Sequence, residues 1–87
     1  MLVHADRILL SKNIRFLRNR RKMSRSKFAR YISISGNELF CIETMFVGYI
    51  HSNGLENICE IYGLSAKEVL TENLAEKYAG KRFHYSR

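Results

Sequence analysis

The stretch Ser24-Arg25-Ser26-Lys27-Phe28-Ala29-Arg30-Tyr31-Ile32-Ser33-Ile34-Ser35-Gly36-Asn37-Glu38-Leu39-Phe40-Cys41-Ile42-Glu43-Thr44 reads as two short helices joined by a tight turn. Ser24 is a good N-cap for the first, which runs to about Ile32 with Phe28, Ala29 and Ile32 as its inner face. Ser33-Ile34-Ser35-Gly36 makes the turn, Ile34 dips into the core, and Ser35 caps the second helix. There Leu39, Ile42 and Phe46 recur at i, i+3 and i+7, an apolar stripe of helical period. Small Ala29 opposite Leu39 lets the two helices approach closely. The stretch is a helix-turn-helix, and the rest of the chain is its support.

On the N-terminal side, Met1 to His4 is expected to fray. Asp6 caps a first helix whose apolar positions Leu10, Ile14 and Leu17 form one buried stripe. The opposite face carries Lys12, Arg15, Arg18, Arg20, Arg21 and Lys22, which is either a solvated basic face or a phosphate-binding one. Met23 is a natural core residue at the bend. The first turn of the second helix holds Arg25 and Lys27, where the helix dipole disfavours cations by roughly 0.3–1 kcal/mol each at low salt. An anion docked there offsets that cost, and free N–H groups beside Arg25 form a ready phosphate site.

On the C-terminal side, Met45-Phe46-Val47-Gly48-Tyr49-Ile50 is apolar for a surface connection, so part of it is buried or bound. Ser52 or Asn53 starts a fourth helix with Leu55, Ile58, Cys59 and Tyr62 inside, ended by Gly63. Ser65-Ala66-Lys67-Glu68 is a capping box opening a fifth helix anchored by Val69 and Leu70. Leu70, Leu74 and Tyr78 sit four apart and carry that helix to Ala79, with Gly80 as its stop. This stripe completes the core or forms a dimer seam. The tail, 80–87, is basic and aromatic; it is expected to be mobile, a partner-binding arm or, through Phe83 and Tyr85, packed on the core.

The 87 residues support one small domain over 1–87, with a core at about 6–79, and the 46% hydrophobic content fits a folded helical chain. A formal net charge of +7 points to a polyanionic partner. Residues 1–30 hold ten cations against one acid, whereas residues 31–66 hold four acids and no cation. The early apolar run Ile8-Leu9-Leu10 is too short for a signal peptide or a membrane span, so a cytoplasmic location without a membrane partner is expected. Cys41 and Cys59 lie outside any zinc-ligand spacing, His4, His51 and His84 are scattered, and no nucleophile context occurs. No metal, no cofactor and no enzymatic activity are expected.

From Asn13 to Leu70, about two thirds of the chain, the pattern resembles the lambda-repressor-like, Cro/C1-type (XRE) helix-turn-helix family of bacteria and phages. The resemblance rests on Asn13-Ile14-Arg15, Leu17-Arg18, Met23-Ser24, Phe28-Ala29, Ile32, Ile34-Ser35, Leu39 and Ile42-Glu43. Leu55, Ile58, Gly63-Leu64-Ser65 and Glu68-Val69-Leu70 extend it. It implies an all-α, compact five-helix domain, often dimeric, that binds double-stranded DNA with its third helix in the major groove. By position it implies that Gly36, Asn37, Phe40, Cys41 and Thr44 face the bases, with Arg25 near a phosphate; taken with the basic residues, the expected phosphate contacts are Arg15, Arg21, Lys22, Ser24, Arg25 and Lys27, and Ser35 joins the expected base contacts. Arg18 and Glu43 match positions that form a structural ion pair in some members.

The third helix is poor in groove-reading chemistry, because only Asn37 and Thr44 offer hydrogen bonds to base edges, and Glu38 repels phosphate. A second reading is therefore an antirepressor-type module that docks on another regulator through Phe40, Cys41, Phe46, Val47, Tyr49 and Ile50. Between Glu43 and Leu55 the chain has about four residues more than the family pattern, which one extra turn on the third helix can absorb.

Overall fold

The computed structural model describes residues 1–86. In chain order these form β1 (Leu2–His4), α1 (Arg7–Arg20), α2 (Arg25–Ile32), α3 (Gly36–Glu43), β2 (Tyr49–His51), α4 (Ser52–Tyr62), α5 (Ala66–Thr71) and α6 (Leu74–Lys77). Arg87, the last residue of the basic tail, lies outside the described residues.

Apart from α4, whose N-cap His51 makes no side-chain cap bond, the helices start at side-chain caps. Asp6 accepts the Leu9 N–H at 2.8 Å, Ser24 that of Lys27 at 3.3 Å and Ser35 that of Glu38 at 3.0 Å. Ser65 and Glu68 form a reciprocal capping box at the start of α5. Helix ends share a different device. After α1, α2 and α3 one residue takes a positive φ: Lys22 (52°), Ser33 (63°) and Met45 (63°). Each donates its N–H three residues back, and the next residue donates five residues back: Met23 to Arg18, Ile34 to Ala29 and Phe46 to Cys41. Glycine suits such a site, and Gly63 supplies it after α4 at φ 68°; Gly80, past the end of α6, also takes a positive φ, 72°.

The residue after Lys22, Ser33, Met45 and Gly63 is apolar, and in three of the four cases it folds back onto the core. Met23, Ile34 and Leu64 do so. Phe46 does not; it is 79% exposed. The device also explains the length of α3, which stops at Glu43 and does not gain the extra turn that the long connection allows. Thr44 donates its hydroxyl to the Phe40 carbonyl at 2.8 Å and Met45 turns left-handed, so the surplus residues enter β2 instead.

The N-terminus is paired where fraying was expected. β1 runs antiparallel to β2 in the register Leu2 with His51, Val3 with Ile50 and His4 with Tyr49. Ala5 N–H to the Gly48 carbonyl and Ser52 N–H to the Met1 carbonyl extend the ladder at 2.9 and 2.8 Å. A Cβ on Gly48 would stand 2.8 Å from the Ala5 carbonyl oxygen, so only glycine allows the strands to close there. The chain is thus mostly helical with a small two-stranded sheet, and not wholly α.

The core takes Leu10, Ile14 and Leu17 from α1, Phe28, Ala29 and Ile32 from α2, and Leu39 and Ile42 from α3. Ile50, Ile58, Ile61, Val69 and Leu74 close it from the other side, each such side chain contributing about 1.5–3 kcal/mol when fully buried. Gly54 is part of the fit, since a Cβ there would come within 2.4 Å of Ile34 Cγ2 in the turn between α2 and α3.

The fifth helix is broken and does not continue to Ala79. Buried Asn13 donates to the carbonyls of Val69 at 2.8 Å and Glu72 at 2.7 Å, and accepts the Leu74 N–H at 3.1 Å. Those bonds hold Glu72 extended, and Asn73 then caps α6 by accepting the Glu76 N–H. Leu74 is buried in this monomer core and Tyr78 packs against it. The tail also departs from the mobile reading. Phe83 packs on Phe16, Tyr62 and Tyr78, Tyr85 packs on Tyr62, and Ser86 donates its N–H to the Ile61 carbonyl and its hydroxyl to the Glu60 carbonyl.

Candidate nucleic-acid interface

Glu43, the last residue of α3, anchors the site. Its side chain has no exposure and receives Arg18 side-on, Nε to Oε2 at 2.7 Å and Nη2 to Oε1 at 2.8 Å. Arg18 Nη1 donates further to the Met23 carbonyl at 3.0 Å, and Ser11 donates to the Glu43 carbonyl at 2.8 Å. Helices α1 and α3 and the bend before α2 are fastened at one point. Arg25 joins from α2, its Nε 3.2 Å from Glu43 Oε1. The Arg25 guanidinium carbon lies 5.3 Å from the Phe40 ring centroid, a cation–π contact.

Glu38, at the other end of α3, is turned toward the sheet. It accepts the His51 N–H at 2.8 Å and faces His51 Nδ1 at 2.5 Å. The carboxylate that would repel phosphate is thus engaged by β2 and nearly buried. His51 carries no role in the sequence reading. The signal for it is faint: Leu-Val-His and Tyr-Ile-His are two short alternating runs far apart in the chain.

On the outer side of α3, Gly36 and Asn37 are exposed and Phe40 is 50% exposed. A Cβ on Gly36 would meet nothing within 4 Å, so the start of this face is open. Ser35 is exposed but its oxygen serves the cap. Cys41 is half-buried. The Thr44 hydroxyl proton is spent on its own helix, leaving a methyl and lone pairs for any ligand. Asn37 alone keeps a complete amide for base edges.

The phosphate candidates divide into two groups. Lys22, Ser24 and Lys27 are exposed around the start of α2. Arg15 is half-buried, with its Nε buried and unpaired among the described residues. Arg21 donates to the Tyr31 hydroxyl at 2.7 Å and lies 4.2 Å from the Tyr85 ring centroid, so the tail packs over it. Arg20 is likewise engaged, donating to the Tyr78 and Lys81 carbonyls at 2.8 and 3.0 Å.

The residues proposed for a protein interface also separate. Phe40 and Phe46 are exposed, Cys41, Val47 and Tyr49 are half-buried, and Ile50 is fully buried in the core. Ile50 therefore drops out of any docking surface: it sits on the inner face of β2, where strand alternation turns it inward. Among the described residues no helix is long and apolar enough to cross a membrane. Compared with protein-family models, curated proteins and solved structures, the chain matches none.

Proposed function

We propose that this chain is a helix-turn-helix transcriptional regulator of the lambda-repressor-like, Cro/C1-type kind. It binds double-stranded DNA, as a dimer on a two-fold symmetric site, with the start of α2 on phosphate and α3 in the major groove. The observation that carries this reading is the inward engagement of both α3 carboxylates. Glu38 is taken by His51, and Glu43 by Arg18 and Arg25. The acidic middle of the chain thus presents little negative charge along α3, while Lys22, Ser24 and Lys27 stand exposed beside it.

The test is a gel shift against duplex DNA from upstream of its own coding sequence over a salt series. Affinity should fall steeply, with a log–log slope of about −0.9 per phosphate neutralised. No duplex binding at low salt, or binding indifferent to salt, refutes the proposal.

One observation favours a second reading, an antirepressor-type module that docks on another regulator. Phe46 is displayed at 79% exposure where the equivalent residues of three other helix ends fold inward, and Phe40 is half exposed. This reading expects co-purification with a partner and loss of that complex in Phe40→Asp and Phe46→Asp. A complex that survives both substitutions refutes it.

A further inference from the structure

We infer that Arg25 reads a base: it selects a guanine in the major groove, with Phe40 as its positioning residue and as the contact for the 5-methyl group of an adjacent thymine. The inference rests on the DNA-binding reading above and names the sequence feature which that site takes.

Helix α3 cannot supply this chemistry alone. Its outer face offers one complete amide, Asn37, whereas guanine is read by paired donors aimed at O6 and N7. Arg25 belongs to α2, where position alone suggests a phosphate contact. The structure carries it across to α3 instead. Its Nε is held on Glu43 Oε1 at 3.2 Å and its guanidinium carbon lies over the Phe40 ring, 5.3 Å from the centroid. That anchor does not yield easily, because Glu43 is fully buried and held on both oxygens by Arg18.

With Nε occupied and the guanidinium carbon over the Phe40 ring, the donors left are the end-on pair Nη1 and Nη2. Neither has a hydrogen-bond partner among the described residues. The side chain is 45% exposed, on the side of α3 where Gly36, one turn before Phe40, leaves open space. A planar fork ordered before binding suits two acceptors in one plane, as guanine presents them, and loses little side-chain entropy on contact. Phe40 is half exposed beside it, so its ring remains available to a neighbouring thymine methyl. Together they specify a thymine–guanine step.

The experiment is selection of duplexes from a random-sequence pool by the wild-type chain, Arg25→Lys and Phe40→Ala, followed by binding titrations on the selected sites. Wild type should enrich one guanine per half-site beside a thymine. Arg25→Lys keeps the charge and loses the fork, so discrimination for that guanine should fall roughly 5- to 150-fold. Phe40→Ala should weaken the same preference, and 7-deazaguanine at that position, which lacks N7, should reproduce the Arg25→Lys loss on wild type.

Retention of the guanine preference by Arg25→Lys overturns the inference. So does a uniform loss of affinity in Arg25→Ala across all sequences with a salt slope smaller by about one, the signature of a phosphate contact. Salt-dependent binding without any Arg25-dependent base preference overturns this inference alone. Absence of duplex binding by a folded wild-type chain overturns the DNA-binding reading and this inference together.

Discussion

Glu38 spans the gap between α3 and the sheet by gripping His51 twice: one carboxylate oxygen accepts the His51 N–H at 2.8 Å and the other lies 2.5 Å from Nδ1. The contact closes the open edge of β2 and takes a carboxylate away from the outer face of α3.

Removing the ring should therefore act on binding as well as stability. His51→Ala leaves Glu38 one bond and frees its charge, so duplex affinity is expected to fall about 2- to 5-fold at low salt. Stability should drop by about 0.2–1 kcal/mol, as for a partly exposed pair. Adding Glu38→Gln in the His51→Ala background should restore affinity. Titrations on the two single variants and the double variant check this, and failure of the double variant to recover would show that the charge is irrelevant.

Asn13 is the buried polar residue with the largest structural task. Asn13→Ala strands two carbonyls and one N–H at the junction of α5 and α6, an expected loss of roughly 2–4 kcal/mol. Urea denaturation measures the loss. Faster hydrogen exchange of the Leu74 amide would locate it.

Three helices end on a non-glycine residue in the left-handed region, at a conformational cost. Ser33→Gly and Met45→Gly are each expected to stabilise the chain by roughly 0.5–1 kcal/mol, after allowing for the greater freedom of glycine in the unfolded state. Gly63→Ala should do the reverse by a similar amount. Thermal melts of the three variants, read against their unchanged helical spectra, give the signs.

Glu68 supplies a pH dependence. Hydrogen bonds from the Tyr78 hydroxyl, the Ser65 N–H and Lys77 hold its carboxyl at a pKa of about 2, below the usual value. Since the folded pKa is depressed, the stabilisation is complete above the ordinary value near 4.5 and is lost as pH falls toward 2. The site is partly solvated, so screening keeps the effect to the order of 1 kcal/mol. Glu68→Gln preserves the cap geometry and should be less stable than wild type at pH 6, with the gap narrowing below pH 4. A gap that stays constant down to pH 3 would remove Glu68 from the acid response.

The local grammar of this chain was legible because each of its signals acts over a few residues. Asp6, Ser24, Ser35 and Ser65 announce their helices by capping the N–H three residues on. The stripe through Leu10, Ile14 and Leu17 buries where its period places it, as do Leu39 and Ile42, but Phe46, the third member of that second stripe, lies past the end of α3 and is exposed. Two local signals compete in the last third of the chain. The spacing of Leu70, Leu74 and Tyr78 favours one helix, but Asn73 is itself a cap, and Asn13 from a distant helix settles the contest.

The sequence by itself determined the caps at Asp6, Ser24, Ser35 and Ser65, the inward faces of α1 and α2, and that the basic charge gathers in the first thirty residues. Tertiary structure alone decided that Leu2 to His4 pairs with Tyr49 to His51, that Glu38 turns to His51, and that Arg25 lies over Phe40. It also decided that Phe83 and Tyr85 lie against Tyr62, with Arg21 beneath the tail. The physical reason is one of range. A cap or an apolar stripe is complete within a turn or two of chain, whereas a strand pair, a shared carboxylate or a stacked guanidinium exists only once distant segments have been brought together by the core.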